Sequence, residues 1–142
     1  MTDLSTTYLG LELRNPLVVG ACKITSTVDG ILRAEKAGAA AVVLKSIFEE
    51  QILAEAEQEL DPASLGYGHP ESFEYVREYS REGAVDAYLT LVSDAKKKAS
   101  IPVIPSVHCV TAGTWLEYCK RLQDAGADAL ELNVYVLPSD VS

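Results

Sequence analysis

Two stretches of this chain repeat one plan, and that plan limits the fold more than any other feature. "AEKAGAAAVVLKS" (34–46) and "LQDAGADALELNV" (122–134) each run from the end of a helix through Ala-Gly-Ala into an apolar strand that stops on a polar residue. Gly38 and Gly126 suit the left-handed turn that closes a helix before the chain re-enters a sheet. Strands this apolar on both faces belong to a parallel sheet covered by helices. Connections between parallel strands wind in one sense.

Reading outward from these repeats gives a full element order. "TTYLGLELRNP" predicts a short hairpin with Gly10 in the turn, and "LVVGA" (17–21) a first buried strand. A helix follows from about Thr27, with Ser26 or Thr27 as its N-cap and Ile31, Leu32 and Ala34 facing inward. Residues 41–44 form the second strand. Good helix formers predict a helix over 47–60, and the prolines and glycines of "DPASLGYGHPE" a loop. Helices over 72–81 and 84–98, a third strand over 101–107, a helix over 112–124 and a fourth strand over 129–134 complete the pattern.

This order fits an open doubly wound sheet or the N-terminal half of a (β/α)8 TIM barrel. No Gly-x-Gly-x-x-Gly follows the first strand, which weighs against a dinucleotide-binding sheet. The barrel is the better expectation: an N-terminal β-hairpin, then four parallel strands. A full barrel takes roughly 250 residues, so 142 residues read as the front part of one larger domain.

Composition removes some functions. The formal net charge is −9, without the basic footprint of a nucleic-acid binder. Lys96, Lys97 and Lys98 complement the dipole at a helix end. Apolar runs fall far short of a membrane span, and the opening "MTDLSTTYLG" is unlike a signal peptide. A cytoplasmic location is the expectation. Cys22, Cys109 and Cys119 show no zinc spacing, so no metal site is expected.

In parallel α/β folds, ligands bind beyond the carboxyl ends of the strands. The polar residues fall there: Gly20-Ala21-Cys22 after strand one, Lys45-Ser46 after strand two, Ser106 and His108 at strand three, Asn133 at strand four. Gly20 and Ala21 allow either a flat ligand to approach the backbone or a tight turn to pack. An ammonium left buried without a partner is costly. Lys45 therefore reaches solvent, pairs with Glu49 or Glu131, or faces an electron-rich ring or anionic substrate. Asn133 can donate and accept at once, which suits an amide- or imide-bearing ring, or it ties down loops. His108 is a wall residue or an acid/base, and His69 lies in the predicted loop. Trp115, Phe73, Tyr75, Tyr79 and Tyr88 sit at helical spacing and read as core.

"NPLVVGA", "AGAAAVVLKS" and "AGADALELNV" together resemble the dihydroorotate dehydrogenase family of FMN-dependent (β/α)8 barrels. The opening "STTYLGLELRNP" resembles the hairpin that closes the bottom of those barrels. The resemblance runs in order through nearly the whole chain, and Lys-Ser after strand two with Glu-Leu-Asn in strand four is its most specific part. It implies that Gly20 and Ala21 lie against the flavin. It implies that Lys45 and Ser46 contact the flavin, with Lys45 also near the substrate, and that Asn133 bridges the two. It also implies oxidation of dihydroorotate, or reduction of a related pyrimidine, by hydride transfer to FMN while a side-chain base removes a proton. The family's base, a cysteine or serine, follows the asparagine. Here "NVYVLPSD" puts Val136 or Leu137 in that place, with Tyr135 and Ser139 flanking. The family's asparagine-rich substrate loop is replaced by "SLGYGHPES". The catalytic base stays unassigned.

Two other functions fit the strand-end lysine and the short length. One is a lyase or isomerase barrel using Lys45 on a carbonyl substrate. The other is a non-catalytic barrel fragment that assembles with a partner. The expected partners are a small-molecule substrate and either a further copy of the chain or a C-terminal half.

Overall fold

The computed structural model describes residues 2–49, 70–109 and 112–134, with backbone alone for 70–81 and 112. Among them, β1 (Thr6–Tyr8) and β2 (Leu11–Leu13) form an antiparallel pair. Leu9 and Gly10 join them, both at positive φ (53° and 76°). That conformation suits a tight two-residue turn and costs a leucine more than a glycine.

The remaining strands are parallel. β3 (Val18–Val19) pairs with β4 (Ala41–Val43), and β4 with β6 (Val103–Ile104). β5 (Ile47–Phe48) pairs with β7 (Ser106–His108), and β7 with β8 (Glu131–Leu132). β4 and β5 are two parts of one extended stretch, as are β6 and β7, which Pro105 interrupts. Four co-directional segments therefore lie side by side in chain order. The fold is a mixed α/β arrangement with parallel sheets.

Helices connect them: α1 (Val28–Lys36), α2 (Pro70–Lys98) and α3 (Ala112–Asp124). Thr27 caps α1, its hydroxyl accepting from Gly30 N at 3.2 Å. The sequence echo is also a hydrogen-bonding echo. Gly38 (φ 108°) donates to Glu35 O and Ala39 to Ala34 O; Gly126 (φ 95°) donates to Gln123 O and Ala127 to Leu122 O. Both helix ends thus use the same six-to-one and five-to-two closure.

Two expectations need correction. Ile47 and Phe48 are strand, not the start of a helix, because β7 offers them a ladder. From residue 50 that predicted helix, like the loop through His69, lies outside the described residues. The expected helices over 72–81 and 84–98 are one helix, α2, which runs through Gly83. A helical glycine costs about 1 kcal/mol relative to alanine but does not by itself stop a helix.

The helices bury one face of the sheet. Ile31 and Ala34 of α1, Val92 and Ala95 of α2, and Leu122 of α3 pack on Val42, Leu44, Val103 and Val107. A smaller cluster on the other side joins Ala41, Val43 and Ile104 to Leu13 of β2. Arg14 donates to Ala39 O (2.7 Å) and Glu35 O (3.0 Å), and Asn15 to Gly38 O (3.0 Å). These bonds fasten the antiparallel pair to the end of α1. Lys96 clasps Asp128 at 2.7 Å, and Asp128 also accepts from Val103 N at 2.7 Å. The end of α2 is thereby tied to the start of strands three and four.

Candidate functional site

A one-residue mismatch in register shapes the strand tips. Val43 pairs with Ile104 and Ile47 with Val107. Three residues, Leu44, Lys45 and Ser46, therefore face two, Pro105 and Ser106. Such a bulge re-aims side chains. Leu44 stays fully buried under the helices, Lys45 is exposed and Ser46 is half-buried. Alternation from Leu44 carries Lys45 to the side of Ala41 and Val43, away from the helices.

Ser46 meets the tips of strands three and four. Its Oγ lies 2.8 Å from Ser106 Oγ, and Ser106 donates to Glu131 Oε1 at 2.6 Å. Asn133 Nδ2 donates to Ser106 Oγ at 2.9 Å and to Ser46 Oγ at 3.1 Å. Four polar side chains from three strands are thus joined on the face that the helices leave open.

Tyr88 of α2 supports this network from the helix side. Its hydroxyl accepts from Ser106 N (3.0 Å) and donates to Ser106 O (3.2 Å). Burial pushes the Tyr88 phenol well above its ordinary pKa, and the Glu131 charge adds to the shift. Tyr88 packs on the core as the helical spacing predicts, but its hydroxyl also holds the strand.

His108 is buried. Its ring lies 5.9 Å from that of Phe48 and, edge-on, 6.1 Å from that of Trp115. Nδ1 is 2.6 Å from the Asn133 backbone carbonyl, an acceptor, so this nitrogen carries the hydrogen. The ring thus packs beside Phe48 and Trp115 and holds the backbone at Asn133.

Lys45 does not pair with Glu49 or Glu131. Among the described residues it makes no ion pair or hydrogen bond, Glu49 is buried, and Glu131 accepts from Ser106. Gly20 and Ala21 are exposed at the tip of strand one. A Cβ added to Gly20 would meet nothing within 4 Å, so packing does not require glycine there. Beyond them, the backbone N–H groups of Thr25 and Ile24 lower the pKa of the Cys22 thiol.

The geometry therefore joins Ser46 to Asn133 and leaves Lys45 and Gly20 open to solvent. Ser106 and Glu131 join them, although sequence reasoning named Ser106 only as a strand-end residue and Glu131 only as a lysine partner. Their signal was present: each is a polar residue inside an otherwise apolar strand. Tyr135 to Ser139, where the family places its base, lie outside the described residues. Among the described residues, no cluster of three or more His, Cys, Asp or Glu side chains is arranged to hold a metal ion.

No protein-family model matches the chain. Three curated proteins named dihydroorotate dehydrogenase B (NAD(+)), catalytic subunit, are similar to it. The Thermoplasma acidophilum protein is 33% identical over 140 residues, which cover 94% of this chain and 42% of that protein. The Thermoplasma volcanium protein is 30% identical over 134 residues, again 94% and 42%. The Methanosarcina acetivorans protein is 29% identical over 130 residues, 88% and 38%. The chain thus spans about two fifths of the length of the curated relatives it matches. By sequence, this chain is a relative of the dihydroorotate dehydrogenase family, similar to those catalytic subunits along nearly all of its own length.

Proposed function

We propose that this chain supplies the first four strands of an FMN-dependent (β/α)8 barrel of the dihydroorotate dehydrogenase type. In this reading it is part of a cytoplasmic oxidoreductase acting on dihydroorotate or a related dihydropyrimidine. The observation that carries the proposal is the joining of Ser46, Ser106, Glu131 and Asn133 across three strand tips, on the face away from the helices. Strand order supports the barrel. Each new strand adds beside the last, without the reversal that a doubly wound sheet requires.

The residues present fit a flavin. Gly20 leaves open space where a flat ring would approach the backbone, and Ala21 beside it is small. Ser46 offers a hydroxyl, Lys45 an exposed cation and Asn133 a carboxamide on the open face. FMN, when bound, supplies the hydride acceptor. Lys45 and Asn133 then orient the substrate against it, Lys45 by charge and Asn133 by hydrogen bonding.

The sheet edges support assembly with more polypeptide. Leu17 and Ile24 beside strand one are 62% and 55% exposed, and Leu132 and Val134 on strand four 51% and 79%. Open, apolar edges favour coverage by another element. The proposed cover is the part of the barrel that the longer relatives possess, with a second copy of this chain as the other candidate. The relatives' name, with its NAD(+) and its catalytic subunit, suggests a partner subunit and a nicotinamide acceptor for the assembled enzyme.

The test is a flavin assay on the chain alone and on a chimera with the remaining residues of the Thermoplasma acidophilum relative. The chain alone is expected to bind FMN weakly, and the chimera to retain it and be bleached by dihydroorotate or a dihydropyrimidine. A Lys45 adduct trapped by borohydride with a carbonyl substrate would support the lyase reading instead.

A further inference from the structure

We infer that Ser106 and Glu131 are positioning residues that fix the polarity of the Asn133 carboxamide, turning its nitrogen to the serines and its oxygen outward as a hydrogen-bond acceptor for a ligand. The ligand half of this inference rests on the strand-tip site proposed above.

The direction of each hydrogen bond follows from counting hydrogens. An ionised carboxylate has none to give, so the 2.6 Å bond between Ser106 and Glu131 is donated by Ser106. A hydroxyl has a single hydrogen. Ser106 Oγ must therefore accept from both Ser46 Oγ (2.8 Å) and Asn133 Nδ2 (2.9 Å). Ser46, having donated to Ser106, accepts from Asn133 Nδ2 at 3.1 Å. With the two serine oxygens only 2.8 Å apart, a single N–H of Nδ2 serves both, so the amide nitrogen faces the serines and Oδ1 is turned away from them.

Turning the carboxamide over would place Oδ1 against those same oxygens. The Ser106 hydrogen is already committed to Glu131, so an acceptor would face an acceptor. Glu131 thus locks Asn133 through Ser106, and Tyr88 holds Ser106 by both its N–H and its C=O. Among the described residues, Asn133 Oδ1 accepts no hydrogen bond. The sequence alone leaves the orientation of Asn133 open; in the folded chain Nδ2 faces the serines and Oδ1 is left as the outward acceptor. The ligand group complementary to Oδ1 is a ring N–H, as in a cyclic amide or imide.

The test is NMR on isotopically labelled chain 1–142, reading the Asn133 side-chain NH2, assigned by its loss in Asn133→Asp. The expected result is protection from solvent exchange of the side-chain proton that faces the serines. Glu131→Leu should reduce that protection about 3- to 10-fold, the scale of one neutral hydrogen bond. Glu131→Gln, whose carbonyl can still accept from Ser106, should restore it. Ser46→Ala provides a second variant with a smaller loss, and an unchanged backbone amide spectrum shows that each variant is folded. Freely exchanging Asn133 protons, or equal protection in Glu131→Leu and Glu131→Gln, would overturn the lock.

The ligand half is read by titrating succinimide and N-methylsuccinimide, which differ only at the ring nitrogen. Succinimide should shift the Asn133 resonances with an affinity about 3- to 10-fold higher. An equal response, or none to either, would overturn the assignment of Oδ1 as the ligand's acceptor. A colourless chimera would defeat the flavin proposal while leaving amide protection intact, so the two failures are distinguishable.

Discussion

The two faces of the same four strands are built differently. The helix-covered face is continuous and apolar, with Val42, Leu44, Val103 and Val107 locked beneath three helices. The open face is apolar only near its base, where Leu13 seals Ala41, Val43 and Ile104. Toward the carboxyl ends it becomes the Ser46–Ser106–Glu131–Asn133 network. The difference teaches that burial on one face leaves the other free to carry polar groups at its tips. Strand periodicity keeps the two tasks on alternate residues.

Adjacent residues give the sharpest test of this division. Leu44→Ala should cost about 2–5 kcal/mol, as for a large side chain removed from a packed core. Lys45→Ala, one residue on, should stay within about 0.5 kcal/mol. Urea denaturation of both variants measures the contrast; similar losses would erase it.

A pair of glycines makes the same point through space. A Cβ on Gly30 would run into the Ile24 backbone, whereas one on Gly20 meets nothing. Gly30→Ala should destabilise by about 1–3 kcal/mol, typical of overpacking. Gly20→Ala should leave the melting temperature unchanged and reduce flavin retention in the chimera. A stability loss at Gly20 would return that residue to a packing role.

Tyr88 links the two faces and should have an intermediate effect. Tyr88→Phe removes one partner of Ser106 N and O, a loss of about 1–2 kcal/mol. It also predicts a pH dependence. The native phenol holds its proton more tightly than the unfolded one, whose pKa is about 10. The folded state therefore binds more protons above that pH. The contribution is complete below about pH 10 and is lost as pH rises from there through the raised native value. Comparing wild type with Tyr88→Phe in alkaline denaturation isolates it; parallel pH profiles would contradict the assignment.

A small stabilising change is expected in the turn between β1 and β2. Leu9 is exposed and holds a positive φ of 53°. Leu9→Asn should raise stability by about 0.5–1 kcal/mol, since asparagine tolerates that conformation better. Thermal melts measure it.

Much of this arrangement was readable before any coordinates. Gly38 and Gly126 marked the helix ends because few other residues adopt positive φ cheaply. The apolar strands announced a parallel sheet because both of their faces are buried. The bulge at Lys45 left no mark in the sequence, since one extra residue changes register without changing composition. The Ser106–Glu131 contact was equally silent, because it depends on how two strands align 25 residues apart. The continuity of α2 through Gly83 was missed because a helix held by tertiary packing outlasts a weak local signal. Ser46 and Asn133 could be named as candidates, but not the hydrogens that set the polarity of one toward the other.

The central claim is that the open-face tips form half of a flavin cradle. Visible absorbance of the purified chimera, with and without Lys45→Ala and Asn133→Ala, tests it most directly. The account predicts stoichiometric FMN in the parent chimera and marked loss in both variants, at unchanged fold. A folded chimera that stays colourless, or one equally yellow in all three forms, would contradict it.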